Sequence, residues 1–211
     1  MKNLLMIGDS IYRGYRKTVQ RILESKVKVL DDSEFGTNSR SSIELLDNFD
    51  KNIEPYLKDA DIIHFNCGLH DVMFFHWGDL ASATPKLISF EEYEENIKLI
   101  IKKLSKYNAM LIWASSTPII EELHIHKKQV TELWDSIPGR DVMRYNKDII
   151  EYNAAAYGIV SNSGIAFHDL YKVVVNTGIE KCLWEDGIHL NVYGQKILGE
   201  AVANRILGEV K

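Results

Sequence analysis

Short apolar runs alternate along this chain with longer stretches of helical periodicity, and that alternation is what most limits its fold. The runs are Leu4–Ile7, Val27–Leu30, Ile62–Cys67, Met110–Ala114 and Ile165–Phe167. Between them lie helical patterns over Tyr12–Ser25, Ser42–Phe49, Phe90–Tyr107 and Arg140–Tyr157, and a last one over Val192–Leu207. The third places Tyr93, Ile97, Ile100, Ile101 and Leu104 on one face. Strands alternating with helices predict an α/β fold. We expect a three-layer α/β/α sandwich with a mainly parallel sheet of about five strands. A length of 211 residues, with 45% apolar and 26% charged side chains, suits one domain over residues 1–211.

The chemistry sits at two places in this pattern. Gly8-Asp9-Ser10 ends the first apolar run, where a buried parallel strand opens onto a loop. Asp186-Gly187-Ile188-His189 lies just before the terminal helix, which Asn191 is placed to cap. In doubly wound sheets, functional groups gather outside the carboxyl ends of the strands. Ser10 offers a hydroxyl, His189 a base to take its proton, and Asp186 a carboxylate to orient that base. An extended strand cannot bring Asp186 and His189 together on one face, so the loop must bend, and Gly187 permits it.

These blocks resemble the SGNH (GDSL-like) esterase and lipase superfamily. Its first block is Gly-Asp-Ser and its last is Asp-x-x-His, in the order found in this chain. Its third block, Gly-x-Asn-Asp, corresponds to Gly68-Leu69-His70-Asp71, with His70 in place of Asn. Its second block supplies a backbone N–H just before a helix. The matching stretch is Phe35 to Ser42, with Ser39 at the family's Gly position or Gly36 as the competing choice. Placing Ser39 there leaves Ser41 to cap the next helix, with Glu44 at capping-box spacing. The resemblance implies a flavodoxin-like SGNH fold and catalysis by Ser10, Asp186 and His189. It implies an oxyanion hole from Ser10, Ser39 (or Gly36) and His70, supported by Asp9, Gly68 and Asp71. His70 can donate if one ring nitrogen carries a proton and faces the substrate oxygen; Asp71 is a candidate to fix that tautomer.

Two long connections, Val72–Ser89 and Ser115–Gly139, leave the same sheet edge if the fold is right. Phe74, Phe75, Trp77 and Trp134 on them are candidate substrate-binding aromatics, with rim packing as the alternative. His124 and His126, near Glu121 and Glu122, have metal-ligand chemistry but no helical i, i+4 pairing, so no metal site is expected. No Gly-x-Gly-x-x-Gly and no phosphate loop occur, so no cofactor is expected, and the Gly-x-Ser-x-Gly elbow of the α/β-hydrolases is also absent. A net charge of −5 gives no basic footprint for nucleic acid. No apolar stretch approaches the roughly 18 residues of a membrane span. The first strand begins at once and carries the nucleophile, so the reading is cytoplasmic, although a chain that had lost a leader would read the same. Cys67 and Cys182 are too few for a disulfide scaffold.

The expectation is a serine esterase acting on a small acyl oxygen ester, first an acetyl ester of a carbohydrate, through an acyl-enzyme. The alternatives are a lysophospholipase, an acyl-thioesterase, acyl transfer to a sugar, and a non-catalytic carbohydrate-binding protein on the same fold.

Overall fold

The first strand, β1 (Lys2–Ile7), is buried from Leu4 onward, and the sheet is built outward from it. This computed structural model describes residues 1–30, 41–76, 83–123 and 141–210. β1 pairs in parallel with β2 (Val27–Val29) on one side and β3 (Ile62–Phe65) on the other. β3 pairs with β5 (Met110–Ala114), and β5 with β7 (Ala166–His168), all parallel. The order is β2-β1-β3-β5-β7. Strands covered on both faces need apolar residues throughout, which is why they read as runs rather than alternations. Ile7, Phe65, Trp113 and Phe167 stand in register across four strands. The segments that follow, Gly8-Asp9-Ser10, Asn66-Cys67-Gly68 and Ser115-Ser116-Thr117, therefore leave one edge together.

Helices flank the sheet as a three-layer α/β/α sandwich. α1 (Ser10–Leu23) packs along the C-terminal helix, α8 (Val192–Glu209). α2 (Ser42–Asp47), α4 (Phe90–Leu104) and α5 (Asn146–Asn162) pack as a second group, with Tyr93 and Tyr152 rings 4.7 Å apart. A π-helical turn, Phe49–Ile53, and the short α3 (Glu54–Leu57) lead into β3. α6 (Leu170–Thr177) and α7 (Ile179–Cys182) lie between β7 and the last helix. Among the described residues, no helix is long and apolar enough to cross a membrane.

Several expected boundaries shift for physical reasons. The first helix starts at Ser10, not Tyr12, because the Asp9 side chain accepts from the Ile11 N–H at 2.8 Å and caps it. The helix expected over Arg140–Tyr157 runs instead over Asn146–Asn162. The residues before it form β6 (Asp141–Met143), antiparallel to β4 (Phe74–His76). Val142 and Met143 are buried by that pairing, which overrides local helical preference. Ser41 and Asn191 cap α2 and α8, as their positions predict.

Candidate active site

Ser10 is the first residue of α1, directly after the capping Asp9. Its Oγ lies 3.0 Å from His189 Nε2. His189 Nδ1 lies 2.7 Å from Asp186 Oδ2. An ionised carboxylate can only accept, so it accepts a hydrogen bond from Nδ1–H, which leaves the Nε2 lone pair toward the serine hydroxyl. Residues 179 positions apart in the chain thus meet in one hydrogen-bonded line.

The turn that carries Asp186 and His189 is fixed from several sides. Gly187 adopts φ +72°, the left-handed bend that an L side chain resists. Asp186 Oδ1 then accepts from the N–H groups of Ile188 and His189, both at 2.9 Å. Burial pushes this carboxyl up, but the His189 ring and the two N–H groups outweigh it and hold it low, at about 2. It is therefore ionised across the working pH range of most enzymes. Leu183 and Leu190 bridge in antiparallel fashion, and the Trp184 N–H donates to the His189 carbonyl at 2.8 Å. The Asn191 side-chain amide donates to the Lys181 and Leu183 carbonyls while its oxygen caps α8. The Ile120 N–H, beyond β5, donates to the Gly187 carbonyl.

The block after β3 is built differently. Gly68 has φ +144°, and a Cβ there would come within 2.7 Å of Ser116 Oγ, so only glycine fits. Asp71 is fully buried, and both its oxygens accept from the Ser42 N–H, at 2.9 and 3.2 Å. The Ser42 hydroxyl donates to the same carboxylate and accepts from Asn96 Nδ2. Asp71 therefore ties this turn to the start of α2, and that is its support. The carboxylate contacts are to Ser42. Burial raises Asp71 to about 6. His70 itself is half-buried in the turn. Arg144, which sequence reasoning missed, is buried and donates from Nε to the Leu69 carbonyl at 2.7 Å. No motif marks it, since its partner is a backbone atom 75 residues away.

Asp9 is buried, and burial raises its carboxyl, against the Ile11 N–H and the charges of His189 and Arg144. Burial also raises the Cys67 and Cys182 thiols, which keeps both protonated and unreactive. Phe74 is buried, with its ring 5.5 Å from that of Tyr145. Phe75 is half-buried, its N–H bonded to Thr84. Ser39, Gly36, Trp77, Trp134, His124 and His126 lie outside the described residues. Glu121 accepts from the Asn146 N–H at the start of α5. Among the described residues, no group of three or more His, Cys, Asp and Glu is placed to hold a metal ion.

The profile of the GDSL-like lipase/acylhydrolase family matches residues 6–197. The chain belongs to this family. It is accordingly a serine ester hydrolase. No curated protein sequence matches it. Among solved structures, it is similar to a lipase/acylhydrolase from Enterococcus faecalis, at 20% identity and TM-score 0.73, covering 100% of this chain and 98% of that one. It is also similar to an acetyl xylan esterase from Geobacillus stearothermophilus, at 19% identity and TM-score 0.69, covering 97% and 94%. A GDSL-like lipase from Bacteroides thetaiotaomicron matches at 17% identity and TM-score 0.68, covering 99% and 89%. These likenesses establish the shared fold of the acylhydrolases.

Proposed function

We propose that this acylhydrolase cleaves small acyl oxygen esters, acetyl esters of carbohydrates first, through an acyl-enzyme on Ser10. The observation that carries the reading is the line Ser10 Oγ–His189 Nε2–His189 Nδ1–Asp186 Oδ2, at 3.0 and 2.7 Å. His189 removes the Ser10 proton as Oγ attacks the ester carbonyl. The carbonyl C–O π pair moves to oxygen and gives the tetrahedral oxyanion. His189 then gives its proton to the departing alkoxide, and the acyl group stays on Ser10. Water, deprotonated by His189, attacks this acyl ester; the second tetrahedral intermediate expels Ser10 Oγ, which takes the proton back from His189, and the acid is released. Asp186, held ionised, keeps the imidazole in the required tautomer and stabilises the imidazolium.

The oxyanion faces the backbone N–H of Ser10, an N–H from Ser39 or Gly36, and the ring N–H of His70. Gly68, Asp71 and Asp9 support these groups as described above. The acetyl preference is supported by the structural likeness to an acetyl xylan esterase. The test is turnover of acetyl and octanoyl nitrophenyl esters, acetylated xylo-oligosaccharides, a lysophospholipid and an acyl-thioester by the wild type and Ser10→Ala. The reading expects acetyl esters to be preferred and Ser10→Ala to lose essentially all turnover. A Ser10→Ala variant with more than about a tenth of wild-type turnover would sink the assignment. Preference for the long-chain, phospholipid or thioester substrates would overturn the substrate class alone.

A further inference from the structure

The ribbon carrying the proposed triad also presents one large aromatic ring beside it. Leu183 and Leu190 face each other across this ribbon and are buried, at 4% and 2% exposure. Side chains alternate along each strand of such a pair, and directly opposed residues share a face. Just beyond this bridge, the Trp184 N–H donates to the His189 carbonyl at 2.8 Å. Both side chains are partly open to solvent. Trp184 is 49% exposed, and the His189 side chain is 48% exposed. The Trp184 carbonyl also accepts from the Gly187 N–H, so the indole is mounted on the same turn that fixes the base.

We infer that Trp184 is a specificity-determining residue that stacks on the alcohol half of the substrate, and that its chemical class is a pyranose ring. The inference rests on the carbohydrate-ester reading above and assigns it a subsite. The argument runs through the proton. The alkoxide that leaves must come within about 3 Å of His189 Nε2 to be protonated. The alcohol half of the ester is thus placed over His189, and Trp184, bonded through its N–H to the His189 carbonyl, is its neighbour. The apolar C–H face of a pyranose matches a flat indole, while its hydroxyls stay in water. The acyl half points away, toward the oxyanion donors, and makes no use of Trp184.

This predicts discrimination between substrates sharing one acyl group. Vinyl acetate has an alcohol half too small to stack; an acetylated xylo-oligosaccharide has a ring. Both give the same acetyl-enzyme. Trp184→Leu, which keeps apolar bulk but loses the flat ring, should lower kcat/KM for the sugar ester at least about tenfold, the worth of covering one ring face. For vinyl acetate the same variant should stay within about threefold of wild type, which also shows that the triad is intact. Trp184→Tyr should keep most of the sugar-ester activity. Equal losses on both esters, or no loss on either, would overturn the subsite and leave the esterase reading standing. A wild type that cleaves vinyl acetate but no acetylated sugar would refute the carbohydrate reading and the subsite with it. A wild type that cleaves neither would refute the esterase reading itself.

Discussion

Two turns at the same sheet edge each carry one aspartate and one histidine, and the chain uses them in opposite ways. In the C-terminal turn, Asp186 precedes His189 by three residues, and a left-handed Gly187 folds the carboxylate back onto the ring. In the turn after β3, His70 and Asp71 are adjacent, and the carboxylate goes instead to Ser42 on α2. Asp186 is half-exposed and held at about 2 by three hydrogen bonds. Asp71 is buried and raised to about 6. Spacing decides the difference. Three residues with a glycine allow an Asx-type turn that brings the carboxylate onto the ring. One carboxylate is bonded to an imidazole and the other joins two segments of the chain.

The largest effects should fall on the C-terminal turn. His189→Ala is expected to lower kcat on a fast acetyl ester by roughly 10⁴- to 10⁶-fold, since triad members act as a unit. Asp186→Asn should cost up to about 10⁴-fold through the wrong tautomer. Circular dichroism and melting temperature should change little in either. A loss below tenfold for Asp186→Asn would erase the functional side of the comparison.

His70 comes next. If it supplies an oxyanion donor, His70→Ala should lower kcat about a hundred- to a thousandfold at saturating substrate. His70→Asn should recover much of that, because an amide N–H reaches a similar point. A change below threefold for Ala would remove His70 from the hole.

Asp71→Ala should act on stability instead. It leaves the buried Ser42 N–H and hydroxyl without their acceptor, a cost of about 2–4 kcal/mol measured by denaturant unfolding. The pH dependence sharpens this. With its folded pKa raised to about 6, Asp71 stays protonated in the folded chain while the unfolded chain ionises from about pH 4. Its contribution to stability therefore falls as pH rises from 4 to 6, by no more than about 3 kcal/mol. Buried His64 and half-buried His168, lowered to about 3 and 4 mainly by burial, act with the opposite sign as the unfolded chain takes up their protons below about 6.5. Subtracting the wild-type curve from that of Asp71→Asn isolates the aspartate: the variant should gain on wild type as pH rises through that window. A difference that is flat with pH would contradict a raised Asp71.

The smallest effect belongs to the bend itself. Gly187→Ala places a Cβ at φ +72° and should cost about 1–2 kcal/mol of stability. Its kcat should fall as Asp186 is drawn off the ring. An unchanged kcat would show that the turn is fixed by its neighbours rather than by Gly187.

Much of this was legible in the sequence, for a common reason. Leu4–Ile7 and Met110–Ala114 are buried on both faces, so they stand out as apolar runs. Ser10, Asp186 and His189 are marked by short motifs at element ends, where parallel topology must gather them. The β4–β6 pair was not legible: each strand has three residues, and pairing across 65 positions leaves no local pattern. Trp184 was equally silent, because what matters about it is its backbone bond to the His189 carbonyl. Arg144 and Ser42 work through partners 75 and 29 positions away, one of them a backbone carbonyl.

The central claim is that Ser10 is the nucleophile activated by His189, and fluorophosphonate labelling read by peptide mass spectrometry tests it most directly. The account predicts one stoichiometric adduct, on the peptide containing Ser10, with labelling strongly slowed in His189→Ala. An unlabelled chain, or an adduct on another serine with Ser10 unmodified, would contradict it.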